Sequence, residues 1–144
     1  MTKILELCEK HIKVKDLVAR DGKTYCNIFV QRVCKDFGYD GFEGLTANLI
    51  HELAGRSPEQ WKKCDAATAQ FSANDGFLVI ASILGSPHGH VAIVCEGVSL
   101  ISQKWQARAP SVASVGVKNE FTTANWAFRE QPNYFVYEGK QRIS

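Results

Sequence analysis

Apolar residues recur at helical spacing through the first half of the chain. Ile4, Leu5, Cys8, Ile12 and Leu17 fall near one another with Lys and Glu between them, which predicts an amphipathic helix over residues 3–18. Asp21 and Gly22 break it. A second helix is predicted from Tyr25 to Phe37, with Thr24 as its cap, Gly38 as its end, and Ile28, Phe29, Val33 and Phe37 facing the core. After a glycine-containing loop, Leu45–Leu53 repeats the helical pattern. Ser57, Pro58 and Gln60 then resemble an N-cap, an N1 proline and the N3 member of a capping box, opening a helix to about Phe71.

The pattern changes at Gly76. Phe77–Leu84 and Val91–Cys95 are short, almost wholly apolar, β-branched and bounded by Gly, which predicts adjacent antiparallel strands joined across Gly85–Gly89. Further strands are predicted over Leu100–Trp105, Val112–Val117 and Tyr134–Tyr137. Helices followed by an antiparallel sheet imply an α+β class, and nothing in residues 1–144 reads as a linker or repeat, so a single domain is expected.

Composition narrows the function. A formal charge of +2, without a basic block, argues against a nucleic-acid partner. No stretch approaches the roughly 18 apolar residues of a membrane span. The first twenty residues interleave charge with apolar side chains, so a signal peptide is not expected and an extracellular role would need another route. Cys8, Cys26, Cys34, Cys64 and Cys95 are odd in number and include no CxxC pair, which fits neither a closed disulfide framework nor a four-cysteine zinc site.

Two of the candidate residues are distinguished by position. Cys26 falls in the first turn of a predicted helix, where unpaired N–H groups and the helix dipole favour a thiolate and can later receive an oxyanion. Cys34, deeper in the same helix, suits a packed thiol. His90 opens the strand GHVAIV, and alternation puts it on one face with Ala92 and Val94, where the small Ala92 leaves room for a helix end. A helix-terminal Cys and a strand-borne His form the two halves of a thiolate–imidazole couple. His88 and His90 make an H-x-H pair, but no further ligand follows at metal spacing, so neither metal nor cofactor is expected. The competing reading is a metal- or protein-binding module in which these residues are ligands or core. His11 and His51 fall in helices, the latter near enough in sequence to border a cleft.

Tyr25–Gln31 (YCNIFVQ) and Gly76–Gly97 (GFLVIASILGSPHGHVAIVCEG) resemble the cysteine and histidine motifs of the type VI secretion amidase effectors, compact relatives of the NlpC-type papain-like peptidases. The similarity continues through Gln103–Trp105, Ser111–Gly116 and Asn133–Glu138. It implies an NlpC-type papain-like fold in which Cys26 attacks an amide carbonyl of a peptidoglycan peptide stem and His90 moves the proton. It implies cleavage between D-glutamate and diaminopimelate; sister families cut the D-alanine–diaminopimelate crosslink. It also implies export by a secretion machinery into a recipient's periplasm and a cognate immunity protein that plugs the cleft.

A third group orients the imidazole in such sites. Ser111, Ser114 or a main-chain carbonyl near Ala109 are the options, with Ser111 ranked first. The oxyanion is expected at the Cys26 N–H, with Asn27 or Tyr25 beside it. Thr46, Asn48, Ser86 and His88 are expected to contact substrate by proximity to the two motifs.

Overall fold

The computed structural model describes residues 3–139. Helix α1 (Lys3–Ile12) buries Ile4, Cys8 and Ile12 and stops there, short of the expected residue 18. The next positions on that stripe are Lys15 and Asp16, so only a break lets Leu17 reach the core. A 3-10 turn over Lys15–Leu17 supplies it. Asp21 and Gly22 then take left-handed backbone (φ 55° and 73°) and turn the chain into α2 (Cys26–Phe37). Gly38, at φ 125°, ends that helix with its N–H on the Cys34 and Lys35 carbonyls. The N-cap is Tyr25 rather than Thr24, and no side chain caps the helix, so its first-turn N–H groups stay available.

Helix α3 (Ala47–Gly55) is capped by Thr46, whose hydroxyl accepts from the Leu49 N–H at 3.2 Å. The helix expected from Ser57 does not form. The N–H groups of Gln60 and Trp61 close one turn on the Ser57 carbonyl (2.9 and 2.8 Å), and the chain straightens into β1 (Trp61–Cys64). Helix α4 (Ala66–Asn74) starts only at Asp65, whose carboxylate accepts from the Thr68 N–H at 2.8 Å. Trp61 explains the difference: its buried ring packs among Tyr39, Phe42 and Tyr137, which a strand paired with the C-terminal one delivers. Tertiary packing overrides a local capping signal here.

The remaining elements are β2 (Val79–Ile83), β3 (His90–Val94), β4 (Leu100–Ser102), β5 (Ala107–Ala109), β6 (Ser111–Val115), β7 (Asn119–Thr123), α5 (Ala124–Ala127) and β8 (Asn133–Tyr137). Six strands form an antiparallel sheet in the order β1-β8-β2-β3-β6-β7, and β4 and β5 form a separate hairpin. The architecture is α+β. Helices α1 to α3 cover the face bearing Ile80, Val91, Ile93, Ala113 and Phe135. Helices α4 and α5 cover the other, with Val79, Ala81, Ala92, Val94 and Val112. Among the described residues no helix is long and apolar enough to cross a membrane.

The placement of β1 and α4 has a measurable consequence. Trp61→Ala is expected to cost about 3–5 kcal/mol and Asp65→Ala about 1 kcal/mol in urea unfolding. A loss on Ser57→Ala matching that cap value, with none on Asp65→Ala, would restore the longer helix.

Candidate active site

Strands β2 and β3 pair along their whole length, from Val79↔Val94 to Ile83↔His90. Strands β3 and β6 pair only at Ile93↔Ala113 and Val94↔Val112, so they part toward the His90 end. The Cys95 N–H points at β6 and donates to the Ser111 carbonyl at 3.0 Å. By alternation the Val91 N–H points the same way, but β6 has moved off. The Cys26 thiol lies at this gap, near enough to the Val91 N–H for that group, with the N–H groups of Asn27 and Cys26 itself, to draw the thiol's pKa down against burial. The thiol therefore lies in a wedge in the sheet, against the residue that follows His90. It does not arrive over Ala92 as expected, because Ala92 faces α4 and α5 on the other side.

His90 reaches across the same wedge. Its Nε2 lies 2.9 Å from Ser114 Oγ, and its ring packs on Phe128 with centroids 4.9 Å apart. The register explains why this hydroxyl meets the ring: Ser114 shares the face of His90 and Ala92, while Ser111 shares that of Cys95. The first-ranked orienter is thus corrected. The Ser111 hydroxyl donates to the Val98 carbonyl at 3.0 Å and its N–H to Gln70 Oε1 at 2.8 Å, away from the imidazole.

Burial sets the protonation of the pair. It pushes the Cys26 thiol above its ordinary value, against the pull of the three N–H groups, and it holds the His90 imidazole down at about 4. Burial therefore works against the thiolate that a helix start favours. Both shifts favour the uncharged pair, a thiol and a neutral imidazole with Nε2 taken by Ser114, an arrangement suited to proton transfer coupled to attack.

Tyr25, Asn27, Thr46, Asn48 and His88 line a cleft of about 680 Å³ with Cys26, as the sequence order suggested. Several of them are engaged in holding the cleft open. Asn27 and Gln31 both donate to the Leu45 carbonyl (3.1 and 2.8 Å), fixing the approach to α3. Asn48 donates to the Gly85 and Pro87 carbonyls (2.9 and 3.2 Å) and accepts from the Gly85 N–H (3.0 Å), so it ties down the loop before His90. A side chain on Gly89 would run into the Ile83 carbonyl and Asn48 Oδ1, which makes glycine necessary there. Ser86 lies in a smaller cavity of about 380 Å³ beside His90. His51 does not border the Cys26 cleft; it bonds Ser82 Oγ at 2.7 Å and lines a separate cavity with Trp61 and Glu138. Phe128 and Thr24 were not anticipated. Thr24 lines both the Cys26 cleft and a cavity of about 660 Å³ containing His90 and Ser114. Among the described residues no three His, Cys, Asp or Glu side chains group as a metal site.

No family model matches the chain. The peptidoglycan amidase Tse1 of Pseudomonas aeruginosa is 31% identical over 141 residues, which cover 93% of this chain and 88% of that protein. The chain belongs to the type VI secretion amidase effector family. It is accordingly a hydrolase. The aligned stretch spans nearly the whole chain, so it takes in the helix that carries Cys26 and the strands that carry His90 and Ser114.

The buried imidazole of this amidase gives its stability a pH dependence. Its value near 4 in the folded chain lies below the ordinary 6.5, so the unfolded chain takes up the proton first. The contribution is complete above about 6.5 and is lost as pH falls toward about 4. It amounts to at most about 3 kcal/mol. Urea unfolding at pH 7 and pH 4.5 should show a smaller acid loss for His90→Gln than for the unmodified protein. Identical losses would mean that the ring is not held neutral by burial.

Proposed function

We propose that the protein is an NlpC-type papain-like cysteine amidase that hydrolyses a peptide-stem amide of peptidoglycan, between D-glutamate and diaminopimelate, with residues 1–144 as its single domain. The observation that carries this reading is the Cys26 thiol near the Val91 N–H, one residue past a His90 whose Nε2 lies 2.9 Å from Ser114 Oγ. The relative named peptidoglycan amidase supplies the substrate class.

In the proposed reaction His90 takes the thiol proton through Nδ1 as sulfur attacks the carbonyl carbon. The oxyanion is met by N–H groups at the uncapped start of α2. The imidazolium, steadied by Ser114, then protonates the leaving amine as the C–N bond breaks. Water hydrolyses the thioester with His90 as base, returning thiol and imidazole. Tyr25, Thr46, Ser86 and His88 are proposed to border the bound stem, with Asn27 and Asn48 shaping the cleft. Delivery by a secretion machinery to a recipient's periplasm, and inhibition by an immunity protein seated in the cleft, complete the reading.

Digestion of purified sacculi followed by mass spectrometry of the released muropeptides tests it. Cys26→Ala and His90→Ala should each lower turnover by about a thousandfold or more, and the double variant little further, because the pair acts as a unit. Full activity in well-folded Cys26→Ala would sink the proposal, and products ending at D-alanine would move the cut to the crosslink. Ser114→Ala should lose about tenfold in kcat, while Ser111→Ala stays within about twofold. The reverse order would reinstate Ser111 as the orienter.

A further inference from the structure

The cavity of about 660 Å³ on the β6–β7 side of His90 contains Lys118, Glu120, Thr122 and Trp126 as well as Ser114. Glu120 stands directly across from Ser114 in the strand register, and so on the face the imidazole occupies. Among the described residues neither Lys118 nor Glu120 has a side-chain ion pair. Lys118 is nevertheless presented by a fixed turn. The Asn119 side chain accepts from the Gly116 N–H at 3.1 Å and donates to the Leu17 carbonyl at 2.9 Å, and the Gly116 N–H also meets the Lys118 carbonyl at 3.1 Å. Trp126 leaves 77% of its surface in solvent at the rim. A Cβ on Gly116 would lie 3.6 Å from His90 Cε1, so the edge of the imidazole borders this cavity.

We infer that this cavity is the subsite for the leaving amine and that Lys118 and Glu120 select a residue whose side chain ends in both a carboxylate and an ammonium. The inference rests on the amidase reading above. The group that protonates the leaving amine must stand beside it, which puts the amine-side residue on the His90 flank. A cation and an anion left unpaired at the same cavity match a zwitterionic terminus, Lys118 to its carboxylate and Glu120 to its ammonium. The exposed Trp126 face offers apolar contact for the methylenes between that terminus and the scissile amide. Diaminopimelate has this chemistry, whereas lysine at the same position carries the ammonium alone.

Peptides L-Ala-γ-D-Glu-X, with X as diaminopimelate, its side-chain carboxamide or lysine, test the subsite on the full chain. The unmodified protein should favour the diaminopimelate peptide over the other two by about tenfold in kcat/KM, the scale of one partly exposed charge-assisted hydrogen bond. Lys118→Met should shrink that advantage to within about twofold, and Lys118→Arg should retain it. Glu120→Gln should lower kcat/KM on the diaminopimelate and lysine peptides alike, since both bear the ammonium. Arg129, in the smaller cavity on the other side of His90, is the control, and Arg129→Met should keep the preference. An unmodified protein that cuts all three peptides equally, or a preference erased by Arg129→Met and not by Lys118→Met, overturns the subsite while the amidase reading stands. Failure to cut any peptide or sacculus overturns both.

Discussion

The parting of β3 from β6 is the constraint on which the site depends. An antiparallel ladder that continued to His90 would have consumed the Val91 N–H and closed the sheet to any side chain arriving from a helix. Because the strands diverge, a backbone donor is released at one level, and the first residue of α2 brings a thiol to it. The same opening lets a β3 imidazole meet a β6 hydroxyl, so one defect in the sheet accommodates all three groups.

Burial then decides the electrostatics. A helix start by itself favours an ionised thiol, yet desolvation at the wedge outweighs the three N–H groups and raises the thiol's pKa. The same desolvation keeps the imidazole neutral, with the Phe128 ring packed against it. In the reaction proposed for this pair, charge develops only as the proton moves, with the Ser114 hydroxyl and the first-turn N–H groups already in place.

The walls of the cleft are held by polar side chains whose hydrogen-bonding capacity is largely committed to backbone. Asn48 on α3 binds the loop before His90 by three hydrogen bonds, and Asn27 and Gln31 on α2 bind the approach to α3 through a single carbonyl. The helix that carries the thiol, the helix beside it and the loop that delivers the imidazole are thereby tied to one another. Gly89 permits the closest of these approaches, where any side chain would meet backbone.

Local pattern alone specified the α+β class, a helix from Tyr25 that the structure starts at Cys26, strands over Phe77–Leu84 and Val91–Cys95 that it trims or shifts to Val79–Ile83 and His90–Val94, and Cys26 and His90 as the residues to examine. Each rests on periodicity or punctuation within a dozen residues, which is the range over which local backbone preference acts. Strands β1, β5 and β7 escaped it: Trp61–Cys64 lacks clean alternation and is a strand because β8 and an aromatic cluster hold it there, Ala107–Ala109 is only three residues long, and Asn119–Thr123 carries mostly polar side chains. Ser114 was legible in part, since parity separates it from Ser111, but only once the β3–β6 register is known. That register, the divergence of the two strands and the charged cavity beyond His90 belong to the tertiary structure alone. They arise from contacts between segments far apart in the chain, and no window of sequence contains both partners.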